Sequence, residues 1–459
     1  MTDTLSFPEK LERFCKTVGT HRFDGLIIPI SEGQAETAAL LIGALKPQRV
    51  VLIVTPQSAM NLGDIRRDLG EVNPALERPI EEPEYINDAF DTGATYQALK
   101  NILDRWPKGG TYAVDVTGGT KPMSVGLAKA AHVLRLPILY ISSENRHGAK
   151  KNQRFTVLPD PYHVFGDLER AEAHNLFRRH DYQGAARMFG DLEERVPESR
   201  DSHWRQLAQI YADWDVFALK QASEAMNKLV EEVERDGDTS PLRTHLARLC
   251  RQKKVLNLLA RITEKLNDRS TEDHQKKNLQ LSTFKKKRPV AAILSSLYHN
   301  GLRREAQGRY DVAALLLYRC LELISQHRLA QWGIATDHPS YDQACQRVPD
   351  LKERYKEEQK KLGREGKLPN RNIGLFTGYV LLKALDDDLV RGYEIADIEK
   401  RTQARNESIL AHGLRLITDA EYRAFKEVVD EMLERFFAVT KLSRTDWEVQ
   451  YRFLEGEAP

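Results

Sequence analysis

Two stretches of this 459-residue chain carry side chains that could do chemistry at a workable spacing. The first runs from Arg405 to Gly413 and reads RNESILAHG. Arg405 is a permanent cation suited to a phosphodiester, and His412 titrates near neutrality, so it can move a proton. Asn406 is a fair N-cap and Gly413 a fair C-terminal stop, which predicts a short helix between them. Seven residues make about two helical turns, so Arg405 and His412 would share one side while Ile409 and Leu410 bury. Such a pair could cleave RNA without a metal, the 2′-hydroxyl attacking its own phosphate. Taken alone the spacing is common, and packing is the commoner reason for it.

The second stretch, Asp115 to Met123, reads DVTGGTKPM. An apolar run at Ala113-Val114 stops at Gly118-Gly119. Thr120 stands at a plausible N-cap, Pro122 at an early helical position, and Met123, Leu127, Ala130 and Ala131 continue one apolar face. A strand, a glycine turn and a helix start aim backbone N–H groups and a helix dipole at an anion. The two glycines would let backbone approach a ligand, and Lys121 adds a mobile cation. The loop is not a Walker A motif, which needs an earlier glycine and a hydroxyl after the lysine. Thr117, Gly118, Gly119, Thr120 and Lys121 therefore predict a phosphate-bearing ligand, against the alternative of an ordinary strand-to-helix turn.

The elements that must position these stretches differ along the chain. Apolar runs at 25–30, 50–55, 113–114 and 136–141 alternate with helical patterns at 36–45, 61–69 and 94–106. This predicts a parallel sheet covered on both faces, with ligand loops at the strands' carboxyl ends, including 31–34, 55–58 and 117–121. No GxGxxG fingerprint is present, so a nicotinamide cofactor is not expected. From Gly166 the pattern is helical and charged. Residues 171–177 and 185–192 form one expected hairpin, followed by a connector reaching to about Asn278. The basic cluster at Lys276-Lys277 and Lys285–Arg288 reads as a solvated linker or an RNA contact. A third, helical region follows. Its strongest helix, Asp311–Leu329, is expected to be capped by Asp311. Within it Arg319 and Glu322 either pair on an exposed edge, or Glu322 holds a base on another helix. Asp386–Asp388 reads as a solvated loop.

Bulk properties narrow the function classes. A net charge of +2 makes the chain as a whole no magnet for nucleic acid, so any polyanion site must be local. Four scattered cysteines without a CxxC pair argue for a reducing cytosol and against a zinc site. No apolar run approaches membrane-spanning length and no signal-peptide core is seen, so a soluble, cytoplasmic protein is expected.

DVTGGTKPM resembles the signature loop of CARF domains, the ligand-sensing modules of CRISPR systems. RNESILAHG resembles the R-x(4–6)-H motif of HEPN ribonucleases, including the Asn after the Arg. Sensor first and nuclease last resembles the CARF–HEPN ancillary ribonucleases of type III CRISPR systems. The resemblance implies an α/β Rossmann-like N-terminal domain (residues 1–160), a helical connector (161–288) and an all-α C-terminal HEPN domain (289–459). It also implies a homodimer whose composite site, Arg405, Asn406 and His412 from each protomer, cuts single-stranded RNA. No metal or cofactor is implied. The allosteric activator would be a cyclic tetra- or hexa-adenylate bound by Thr117–Lys121 and, by position only, by Ser31, Glu32 and Gly33. Two further readings stay open: a non-catalytic, nucleotide-responsive regulator, and a sensor that also degrades its own activator.

Overall fold

The structure is a computed structural model that describes residues 5–146, 149–196, 201–267, 280–410 and 413–456. It divides into two compact units, Met1–Phe165 and Gly166–Pro459. The chain is mostly helical, with one six-stranded mixed sheet in the first unit.

The first unit opens on helix α1 (Phe7–Val18), which the polar start of the chain conceals. A capping box between Ser6 and Glu9 starts it, and Phe7, Leu11, Phe14 and Val18 bury along one stripe. There follow β1 (Gly25–Pro29), α2 (Ala35–Leu45), β2 (Arg49–Val54), α3 (Asn61–Val72), β3 (Glu84–Tyr85), α4 (Thr92–Arg105), β4 (Tyr112–Asp115) and α5 (Lys121–Val133). The unit then forms β5 (Ile138–Arg146) and β6 (Ala149–Leu158). The sheet order is β3-β2-β1-β4-β5-β6. Strands β3 to β5 run parallel, with Gly25 in register with Arg49 on one side and Tyr112 on the other.

Alternation along the central strands feeds two apolar layers. Leu26, Ile28, Val50 and Leu52 meet Leu11, Leu41 and Ile65, while Ile27, Val51, Ile53 and Val114 meet Leu99, Ile102 and Leu127. Burial on both faces explains the near-continuous apolar runs of β1 and β2. The all-parallel expectation is corrected at the edge. Residues 142–146, beyond the expected 136–141 run, continue β5, and β6 pairs with it antiparallel. An edge hairpin with one solvated side needs little apolar patterning, so its polar residues carry no strand signal.

In the second unit, Asp167–Arg178 and Tyr182–Arg195 form the expected hairpin, and Asp201–Asp215, Leu219–Asp236 and Leu246–Asn267 extend it. Lys276-Lys277 lies outside the described residues, while Lys287 donates to the Thr440 carbonyl at 2.7 Å. A second apolar cluster gathers helices Lys287–Ala306, Tyr310–Gln331, Leu375–Ala384, Ile395–Asn406 and Asp419–Thr440. The tail residues Tyr451, Phe453 and Leu454 return to the core of the first helices. Asp387, expected in solvent, is buried and takes Arg328 at 2.9 Å and the Trp332 indole N–H at 2.8 Å. Its exposed neighbours Asp386 and Asp388 hide that role in the sequence.

Candidate functional site

At the carboxyl ends of β1 and β4 the sheet changes direction of travel, the place where open α/β sheets hold ligands. The loop after β4 is built around Asp115, whose carboxylate is 2% exposed. Thr117 Oγ1 donates to it at 2.6 Å and the Gly118 N–H at 3.1 Å. Burial pushes the Asp115 carboxyl up to about 6, and those hydrogen bonds oppose the rise. Thr117 Oγ1 also accepts the Ile141 N–H at 2.7 Å, tying the turn to β5. Thr120 is the N-cap of α5, accepting from Met123 N–H and donating to the Ala89 carbonyl. Lys121 is the first helical residue and is exposed.

The two glycines have a close neighbour within the chain. A Cβ on Gly118 would run into the Pro29 carbonyl oxygen, and one on Gly119, at φ +75°, would meet the Pro29 ring at 2.8 Å. Their small size seats the β4 loop against the end of β1. Pro29, which the loop meets, stands two residues before Ser31. Ser31 is half-buried, its carbonyl accepting from Asn61 Nδ2 at 3.4 Å, while Glu32 and Gly33 are exposed. Asp115 and Asn61 were missed as organising residues. Asp115 stood inside the quoted motif, and its spacing of two from Thr117 is the signal that a buried acceptor was present.

At the other end of the chain, Arg405 and Asn406 close the Ile395–Asn406 helix instead of opening one. Ile398 and Thr402 bury one face of that helix. After it the chain folds as a loop, with the Ile409 N–H on the Arg415 carbonyl at 2.9 Å and the Gly413 N–H on the Ser408 carbonyl at 3.1 Å. Gly413 is required by close approach, since a Cβ there would strike the Glu407 carbonyl. The predicted two-turn helix over 406–413 is thus corrected: these backbone bonds reach across the loop. Ile409 and Leu410, expected to bury, are exposed in the single chain, as are Leu414 and Leu416. His412 lies outside the described residues.

Arg405 is held from two directions. Its Nη1 donates to Asn406 Oδ1 at 3.3 Å, and its Cζ lies 3.9 Å from the centre of the Tyr318 ring. Its Nε is buried with no hydrogen-bond partner among the described residues. Tyr318 comes from the Tyr310–Gln331 helix and was not singled out in the sequence. Burial and the nearby Glu322 raise its phenol, and Arg405 opposes them. Glu322 itself pairs with Arg319 at 2.9 Å on a half-exposed edge, the plainer of the two readings. Asp311 is no cap. It sits in the first turn and accepts the Ile417 N–H at 3.2 Å, anchoring the chain just before the Asp419–Thr440 helix. Among the described residues no three His, Cys, Asp or Glu side chains gather as metal ligands. No helix among them is long and apolar enough to cross a membrane.

Comparisons with known proteins bear on both halves. A family model described as the Csm6 HEPN domain matches residues 282–436, and one described as the Csm6 6H domain matches residues 165–256. Together they span more than half of the chain. The CRISPR system endoribonuclease Csm6 of Thermus thermophilus is 25% identical over 422 residues, covering 89% of this chain and 84% of the relative. Among solved structures, Enterococcus italicus Csm6 bound to cyclic hexa-2′-fluoro-hexa-dAMP is 14% identical. It overlays 93% of this chain and 97% of its own, with a TM-score of 0.49. Can2 from Sulfobacillus thermosulfidooxidans in complex with cyclic tetra-adenylate overlays 38% of this chain and 50% of its own, at 22% identity and a TM-score of 0.23. With two domain models falling in order along its helical unit and a relative matched over most of its length, the chain belongs to the CARF–HEPN ancillary ribonucleases of type III CRISPR systems.

Proposed function

We propose that this endoribonuclease cuts single-stranded RNA at a composite site formed by two copies of the chain, and that a cyclic oligoadenylate switches it on. The observation that carries the reading is the setting of Arg405. Its guanidinium is stacked on Tyr318 and its buried Nε is unpartnered among the described residues, beside exposed Ile409, Leu410, Leu414 and Leu416. A well-held cation next to an uncovered apolar rim is what half of a symmetric site presents.

In the proposed reaction the substrate's 2′-hydroxyl loses its proton and attacks the adjacent phosphorus. The P–O5′ bond breaks, and the 5′-hydroxyl fragment leaves with a proton while the other fragment ends in a 2′,3′-cyclic phosphate. Arg405, from each protomer, stabilises the charge that builds on the phosphoryl oxygens, Asn406 steadies that guanidinium, and His412 moves a proton or orients the nucleophile. No metal is needed for this chemistry. The N-terminal unit supports the sensor role through its Rossmann-like strand order, with β1 and β4 meeting at the switch point. Thr117–Lys121, with Ser31, Glu32 and Gly33 alongside, would hold the adenylate ring, and the protein would act in the cytoplasm as a homodimer. The test is cleavage of a fluorogenic single-stranded RNA with and without cyclic tetra- or hexa-adenylate, in the presence of chelator. Activator-independent or strictly metal-dependent cutting would overturn the reading.

A further inference from the structure

A second cationic site lies away from Arg405, within the helical unit. A cavity of about 370 Å³ opens between the Asp167–Arg195 hairpin, the Lys287–Ala306 helix and the tail around Phe453. Arg178, Arg248, Arg303 and Arg452 line it, with His299 and a single carboxylate, Glu455. The charges on Arg303 and Arg248 are not fully neutralised from behind. Asp215 is the carboxylate that takes Arg303, at 2.6 Å, and it takes Arg304 as well, leaving one positive charge over. Arg248 spends its Nη2 on the carbonyls of Arg452 and Phe453, at 2.9 and 3.3 Å, which carry no net charge.

His299 reports the resulting field. It is 6% exposed, its Nε2 has no hydrogen-bond partner among the described residues, and Glu448 stands 3.9 Å away, beyond bonding distance. Burial first, then Arg303, Arg452 and Arg444, push its imidazole down to about 3, so it stays neutral. Several guanidinium groups around a neutral, unpartnered imidazole suit a tetrahedral oxyanion, which guanidinium forks bind bidentately. The ring of Phe453 offers no platform for a base. Arg303 covers it at 3.8 Å and Tyr211 stacks on it at 3.9 Å. Recognition therefore rests on charge. The volume falls at the small end of ligand pockets, enough for one nucleotide and too little for a strand.

We propose that this cavity binds a terminal phosphate monoester, carried by a free mononucleotide or by the 3′ end of an RNA fragment. Its RNA source rests on the metal-independent cleavage proposed above, followed by opening of the 2′,3′-cyclic phosphate by water; the site itself does not. The test is calorimetry on the full-length His412→Ala protein, so that turnover plays no part and failure of the cleavage reading leaves the binding result intact. Inorganic phosphate and adenosine 3′-monophosphate should bind, and adenosine should not. Arg452→Glu, at an exposed position, should weaken phosphate by at least about tenfold, with Arg452→Gln between it and the parent. Binding of a 3′-phosphorylated but not a 3′-hydroxyl oligonucleotide assigns the RNA end, and binding of the mononucleotide alone assigns the free nucleotide. No heat from millimolar phosphate, equal binding of adenosine, or an affinity unchanged in both Arg452 variants would overturn the proposal.

Discussion

The guanidinium carbon of Arg405 stands 3.9 Å from the centre of the Tyr318 ring, on a helix nearly ninety positions earlier in the chain. A cation over an aromatic face is worth about 0.5–2 kcal/mol, more when desolvated, and here it also fixes where the charge points. Tyr318→Leu should therefore lower RNA turnover by roughly 2- to 30-fold at that energy, while Tyr318→Phe keeps most of it. Activator affinity should not move in either. Equal turnover in the leucine and parent proteins would show that the ring only fills space.

Leu414 is 93% exposed and Leu416 68%, on the loop that follows His412. Leu414→Glu should leave the folded protomer intact, because nothing in the single chain packs on that side chain enough to bury it. It should split the proposed dimer in sedimentation and remove cleavage with it. A variant that stays dimeric and active would move the interface elsewhere.

Lys121 is an exposed cation at the start of α5, in the loop proposed to hold the activator. Losing one charged hydrogen bond costs about 1.5–3 kcal/mol, so Lys121→Ala should bind the cyclic oligoadenylate roughly 10- to 100-fold more weakly. Excess activator should restore its cleavage. An unchanged affinity by calorimetry would place the ring against other residues.

Asp115 makes the sensor unit sensitive to pH in a direction that can be worked out. Its carboxyl is raised from 3.8 to about 6 in the fold, so between those values the folded state binds the extra proton. Stability contributed by this group is full below about 4, falls as pH rises to about 6, and is flat above. A shift of about two units corresponds to something on the order of 2–3 kcal/mol. Asp115→Asn should remove that slope, read as the difference between the two proteins' thermal midpoints from pH 4 to 7. Parallel curves would mean that the carboxyl titrates normally.

The central α/β elements were legible because β1, β2 and their helices bury on both faces and carry dense apolar runs. Helix α1 was not, since its four apolar residues are diluted by charges, and β6 was not, because Lys150 to Arg154 are polar in an edge hairpin. The chemistry-bearing types at Arg405 and Asn406 could be named, but not their placement. Asn406 reads locally as a helix start, and only tertiary burial of Ile398 and Thr402 shows that the helix precedes it. Tyr318 left no local signal at all, since its role depends on a partner 87 residues away. Asp115 did leave one, but a buried carboxylate is invisible until its neighbours are placed.

The two ends of the molecule should prove separable. Removing a general acid–base typically costs about 10²–10⁴ in rate, and removing a charge stabiliser about as much. Arg405→Ala and His412→Ala should therefore abolish measurable RNA cleavage. In a site assembled from two protomers each substitution strikes twice, so the loss should sit at the upper end of that range. Neither change touches the Asp115–Thr117 network that shapes the sensor loop, so activator affinity should hold. Arg405 makes its contacts with Asn406 and Tyr318 at the surface end of its helix, so the protein should remain folded and dimeric. Asn406→Ala frees the Arg405 guanidinium without removing its charge, and should fall between the parent and Arg405→Ala. The measurement is turnover of a fluorogenic RNA beside calorimetric activator binding on the same preparations, in chelator, with DNA as the control that lacks a 2′-hydroxyl. Cleavage by His412→Ala at the parent rate would remove this loop from the chemistry and return Arg405 to a packing role.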